Sequence, residues 1–217
     1  MNVDRAELLR YLGWRGQETD EALLRKLDEA AGRCLEIAAP RSVVRRFALT
    51  PEFELEGTGL RLEGEDIRAH LAGCREVYLM AMTVGAGVER EQMRLAARSA
   101  NEALLFDTAA SCAVESYADD VCADLEASCG RRLTSRFSCG YGDFPLSAQR
   151  AICALLRTDA RIGLCCDECF LLTPRKSITA LAGITDRPAP ARAETGPGCG
   201  HKCGGCGKTD CAFRKTE

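Results

Sequence analysis

No stretch of this sequence approaches the roughly 20 consecutive apolar residues that a membrane-spanning helix needs. The opening MNVDRAELLRYLG also lacks an apolar run of the secretory type. The expectation is a cytoplasmic protein with no membrane partner. Positive charge is not in excess either: 29 Lys and Arg stand against 32 Asp and Glu, giving a formal net charge of −3 and a pI near 5.6. No overall field therefore draws nucleic acid or anionic lipid. The VGAGVER segment has two glycines of a dinucleotide loop but lacks the third, and no acidic residue follows at the end of a second strand. A tight turn from strand into helix is expected there.

Cysteine, by contrast, is plentiful, with 14 among 217 residues. In a reducing compartment that number argues for metal binding, redox work or small buried side chains rather than a disulfide framework. With 46% hydrophobic and 28% charged residues, the chain is long enough to bury a real core as one domain, or one domain with an appendage.

Asp4 with Glu7 reads as a capping box for a short first helix ending at Gly13. Thr19 or Asp20 caps a second helix, along which Leu23, Leu24, Leu27, Ala30, Ala31, Cys34 and Leu35 recur at helical spacing before Pro40. VVRRFAL, FELEG and LRL read as short strands, and Glu76 to Thr83 as a central one. Ser99 with Glu102 opens the longest helix, Asn101 to Ser128, with Gly130 as its C-terminal stop. Its expected inner face runs through Leu104, Thr108, Cys112, Val114, Ala118, Val121, Cys122, Leu125 and Cys129. Leu133 to Ser138 is a strand candidate, CGYGDFP a loop, and LSAQRAICALLRTD a helix with Leu146, Ile152, Leu155 and Leu156 inward. RIGLCCDECFLL and KSITALAGI complete the strands. From there the composition divides the chain into a body over residues 1–186, a Pro/Ala/Gly linker over 187–198 and a cysteine-rich tail over 199–217.

In that tail, Cys199, Cys203, Cys206 and Cys211 bring four thiols into one short, glycine-rich segment. Metal ligation would supply most of the folding energy of so polar a stretch. Consecutive short spacings from one segment suit a four-iron four-sulfur cluster ahead of structural zinc, which favours paired Cys-x2-Cys hooks; His201 is a candidate neighbour. In the body, CCDEC places Cys165, Cys166 and Cys169 close together. Adjacent strand residues face opposite ways, so these three are read as small buried side chains, two of which could line a pocket.

RFSCGYGDFP, Arg136 to Pro145, resembles the Arg-x-x-x-Gly-Tyr signature of the activation domain of cobalamin-dependent methionine synthase. RIGLCCDECFLLTPRKSITALAGI is similar to a second segment of that family, with Glu168, Phe170, Pro174 and Ser177 at matching places. RYLGWRGQETDE, PRSVVRRF, HLAGCREVYLMAMTVG and VERE resemble its free-standing bacterial form, so the likeness spans most of residues 1–185. It implies an α+β fold, a curved and mainly antiparallel sheet with packed helices, plus a small metal-binding tail. It also implies that Arg136, Gly140 and Tyr141 cradle S-adenosylmethionine, with Glu115, Asp143 and Glu168 as candidate partners for its ribose, amino group or sulfonium. Two departures stand out: the family's proline after Gly-Tyr is Gly142 here, and the linker and tail replace chain that helps close the family's pocket.

The activity implied is the reductive reactivation of a separate methionine synthase or related corrinoid methyltransferase. In it, S-adenosylmethionine methylates the partner's cobalamin once an electron arrives, and the tail cluster would deliver that electron. Two other functions fit the same residues: an iron-sulfur protein that reduces corrinoid proteins without S-adenosylmethionine, and an adaptor docked through a zinc tail. The structural alternatives to ligand binding are a surface ion pair for Arg136, a turn aromatic for Tyr141 and a solvated helix charge for Glu115. No residue is assigned a catalytic role, and the chain is read as an activation subunit of a methyltransferase system.

Overall fold

The computed structural model describes residues 1–14 and 16–188. Two long segments organise it. The first is β2 (Glu76–Thr83), an EVYLMAMT run buried along almost its whole length, as a strand covered on both faces must be. The second is α5 (Ala100–Cys129), 30 residues or roughly 45 Å of helix. The Ser99 hydroxyl accepts from the Glu102 amide at α5's start, and Gly130, with φ +67°, ends it in the left-handed conformation that glycine adopts without strain.

β2 pairs antiparallel with β1 (Arg41–Ala48) and with β6 (Ser177–Pro188), and β6 pairs with β3 (Arg131–Leu133), giving the order β1-β2-β6-β3. The β3–β6 pairing resumes after a bulge at a Phe137–Leu181 bridge. β1 is a rim strand whose arginines are tied back to the molecule: Arg45 lies over the Phe47 ring and donates to the Leu155 carbonyl, while Arg46 pairs with Glu76.

Because strand side chains alternate, the sheet has two apolar faces. Val77, Leu79, Ala81 and Leu181 face one layer, covered by α3 (Glu65–His70), α6 (Ala148–Leu156) and α7 (Thr158–Ile162) through Ile67, Leu71, Ile152, Leu156 and Ile162. Tyr78, Met80, Met82, Ala180, Ala182 and Ile184 face α5. The other side of α5 packs on α1 (Arg5–Tyr11), α2 (Glu21–Ile37) and α4 (Ala86–Ala96) through Leu8, Leu27, Cys34, Val88, Leu105 and Phe106. Ala109, Ala110 and Ala113 keep that interface close. α5 thus stands in the middle of the molecule, and the α+β fold expected from the sequence is the fold observed. Each large side chain buried in these layers contributes about 1.5–3 kcal/mol.

Several local expectations hold. Asp20 caps α2, and Asp4 caps α1 by accepting from the Ala6 amide, with Glu7 paired to Arg10. The VGAG segment is a turn into α4: Gly85 has φ +92°, and a Cβ there would lie 3.2 Å from the Ala39 carbonyl. Cys34 and Cys112 are core residues, their thiols pushed up to about 11 and about 12 by burial.

Others need correction. FELEG and LRL form only isolated bridges, Leu49–Leu55 and Glu54–Arg61, because the chain turns back at Phe53, Gly57 and Gly59, all with positive φ. Leu104 is exposed, since its neighbours Leu105 and Phe106 take the inward positions. Leu146 is exposed as well, and Arg157, with φ +53°, breaks the expected single helix into α6 and α7. RIGLCCDECFLL is a short hairpin of β4 (Cys165–Cys166) and β5 (Leu172–Thr173) rather than one strand. Its turn carries Cys169, so Cys165 and Cys169 are exposed and Cys166 is half-buried, not core as expected.

Candidate functional site

The chain leaving β3 places alternate residues on opposite faces of the sheet. Phe137 joins the α3/α6 layer, while Arg136 turns to α5. There its side chain is only 6% exposed and meets two carboxylates one helical turn apart. Nη2 donates to Glu115 Oε2 at 2.7 Å, and Nη1 donates to Asp119 Oδ1 at 2.5 Å and to Cys122 Sγ at 3.8 Å. Burial opposes the charge, but Asp119, the Cys122 sulfur and Glu115 outweigh it and raise the guanidinium further above its ordinary value. Glu115 and Asp119 are 40% and 47% exposed, so the cluster opens to water on its helix side.

With one guanidinium and two carboxylates, the cluster carries one negative charge in excess. Tyr11 of α1 is within electrostatic reach of it: burial, then the Glu115 carboxylate, push its phenol up to about 12. Of the residues singled out in the sequence, Arg136 and Glu115 are therefore brought into direct contact. Asp119, Cys122 and Tyr11 are additions. An i,i+4 acid pair on the longest helix was a signal for Asp119, but nothing in the sequence placed α1 beside it.

The Gly-Tyr loop lies on the other side of Arg136. Gly140 has φ +84° and its amide donates to the Phe144 carbonyl; Phe144 in turn donates to the Tyr141 carbonyl, so the loop is a closed turn. Tyr141 is 59% exposed, its ring edge-on to Phe137 at 6.3 Å. Asp143 accepts from the Glu65 and Asp66 amides at 2.6 and 3.0 Å, and Asp66 accepts from the Asp143 amide at 3.2 Å. Those amide bonds hold the Asp143 carboxyl below its ordinary value. Asp143, a ligand candidate in the sequence, thus ties the loop to the start of α3.

An open groove runs beside this loop, bounded by Leu60, Arg61, Glu63, Phe144, Pro145 and Ala148. Arg136 and Tyr141 are not among its walls. Glu168 is exposed in the β4–β5 turn. That turn is fastened to α6, with Gln149 Nε2 donating to the Phe170 carbonyl and Arg150 Nη2 to the Asp167 carbonyl. No ion pair among the described residues joins Glu168 to Arg136.

Among the described residues, no group of three His, Cys, Asp or Glu side chains could hold a metal ion. The four tail cysteines, Cys199, Cys203, Cys206 and Cys211, lie outside the described residues. No helix among the described residues is long and apolar enough to cross a membrane.

No known protein-family pattern matches the chain, and no curated protein matches it. Among solved structures it is similar to the crystal structure of the MetH reactivation domain bound to AdoHcy, with a TM-score of 0.60 and 14% sequence identity. The likeness covers 88% of this chain and 72% of that one. At this identity, what is shared is the fold.

Proposed function

We propose that this chain serves the reductive reactivation of a separate cobalamin-dependent methionine synthase or a related corrinoid methyltransferase, with S-adenosylmethionine as methyl donor. The observation that carries the reading is the fold-level likeness to a reactivation domain holding AdoHcy, the demethylated form of that donor. The charge of the site supports it. At neutral pH S-adenosylmethionine carries a carboxylate, an ammonium and a sulfonium, one positive charge overall. Arg136 and Glu115 set a guanidinium beside a carboxylate, matching the ligand's carboxylate and one of its cationic centres.

On this reading Arg136 receives the ligand carboxylate, Glu115 faces a cationic centre, and the exposed Tyr141 ring offers a surface for stacking. Gly140 lets the loop backbone approach without a side chain in the way. The donor supplies an already activated methyl group, and the protein's work is to hold it in position before the partner's corrinoid. The tail cysteines would bind an iron-sulfur cluster or zinc, the cluster providing the electron; Glu168 remains a candidate on the neighbouring turn.

Calorimetric titration with S-adenosylmethionine tests the ligand. Binding by the native chain, abolished in Arg136→Ala, is expected; no heat of binding would remove the methyl-donor part. One observation favours a second reading, a redox protein that reduces corrinoid proteins without S-adenosylmethionine: both arms of Arg136 are already engaged. Anaerobic reconstitution with iron and sulfide bears on both. A colourless protein with one bound zinc would end the electron-donor role and leave a docking adaptor.

A further inference from the structure

A buried guanidinium whose two arms both donate to carboxylates of its own chain presents a self-occupied anion site. Nη2 and Nη1 of Arg136 are taken by Glu115 and Asp119, and almost none of the side chain reaches water. A ligand carboxylate that takes either Nη arm must displace one of these acids. The exchange keeps the guanidinium paired, which matters because a charge buried to this degree cannot be left without a counterion. Two acids hold the guanidinium, and they differ in what surrounds them. Glu115 is the less exposed and also faces Tyr11. Asp119 is the more exposed and sits a full turn further along α5, so its short side chain can swing into solvent when displaced.

We infer that Asp119 is an intramolecular competitor of the ligand carboxylate, an affinity-setting residue that must leave Nη1 before Arg136 engages an amino-acid ligand. The inference rests on the S-adenosylmethionine reading above. It makes an unusual pairing of effects: removing the Asp119 charge weakens the fold and tightens the ligand. An amide competes for a guanidinium less well than a carboxylate, because charge-assisted hydrogen bonds are roughly twice as strong as neutral ones. The dissociation constant of Asp119→Asn should accordingly fall by about fivefold.

The test is calorimetry of the full-length chain with S-adenosylmethionine and with its decarboxylated analogue, which keeps the sulfonium and ammonium but has no carboxylate to exchange. Asp119→Asn is expected to bind S-adenosylmethionine more tightly than the native chain and the analogue no more tightly, while its thermal midpoint drops. Equal or weaker binding of S-adenosylmethionine by a folded Asp119→Asn overturns the inference and leaves the proposed function standing. Failure of the native chain and the variant alike to bind either compound overturns both. Should the variant not fold, nuclear magnetic resonance of the Arg136 guanidinium protons in the native chain decides instead. A shift on adding S-adenosylmethionine, absent with the analogue, supports exchange; an unchanged signal at saturation refutes it.

Discussion

Gly142 has φ +54°, and a Cβ at that position would lie 2.0 Å from Asp66 Oδ2 and 2.8 Å from its Cγ. No side chain fits there while Asp66 and Asp143 bind each other's segments. Gly142→Ala is expected to lower stability by about 1–3 kcal/mol in urea denaturation, since the residue meets both a strained φ and a close contact. Proline, the resembled family's residue at this place, is incompatible with a positive φ because its ring fixes φ near −65°. The departure at Gly142 is, in three dimensions, a different fastening: the loop is held by Asp143 on the α3 amides rather than by a proline ring. The Arg-x-x-x-Gly-Tyr spacing located this loop correctly. The fastening itself was not readable, because Asp66 and Asp143 are 77 residues apart and neither belongs to a recurrent spacing. Arg136 shows the same limit. Its residue type signalled a carboxylate partner, but a ligand and a helix both supply carboxylates, and only the packing of β3 against α5 shows which lie within reach.

Ion pairs also join separate elements of the sheet, and here a pH dependence follows. Glu76, at the start of β2, accepts from Arg46 of β1 and from Arg131 of β3. The hydrogen bonds from Arg46 and then Arg131 hold its carboxyl at about 2, against an ordinary 4.5. A carboxyl whose folded value is depressed contributes its stability above the unfolded value, and that contribution is lost as pH falls toward the folded one. Glu76 therefore stabilises the sheet above about pH 4.5 and ceases to do so between there and about pH 2. Denaturation midpoints followed down that range should fall less steeply in Glu76→Gln than in the native chain, and equal slopes would show that Glu76 contributes nothing. The elements themselves were largely legible. α2 and α5 declared themselves by caps and three-to-four-residue recurrence, and β2 by an unbroken apolar run. Illegible were short pieces whose alternation mimics a strand, such as FELEG, where positive φ at Phe53 and Gly57 turns the chain before a ladder can form. α5 hid its phase at one point, because Leu104, Leu105 and Phe106 are consecutive and apolar and only packing selects which two turn inward.

At the scale of the molecule, the three apolar clusters draw, among the described residues, on positions from Val3 to Ile184. A chain ending at Pro188 keeps all of them. It is expected to unfold cooperatively, with a thermal midpoint within about 3 °C of the full chain's, which corresponds to a stability change of only about 1 kcal/mol. A non-cooperative transition would show that the tail takes part in the core. The layered architecture followed from the sequence because the central strands are apolar on both faces and so demand cover on both sides. The placement of α1 against α5, which brings Tyr11 to Glu115, did not follow, because no local pattern records which helices meet.

Among the described residues β1 ends the sheet with one edge unpaired, and along its eight residues it carries Arg41, Arg45 and Arg46. A second copy approaching that border to extend the ladder would have to bring its own arginines against these, and like charges facing across strands repel. Arg45 and Arg46, which brace the strand from within, thus also discourage copies of the chain from zipping together along that border.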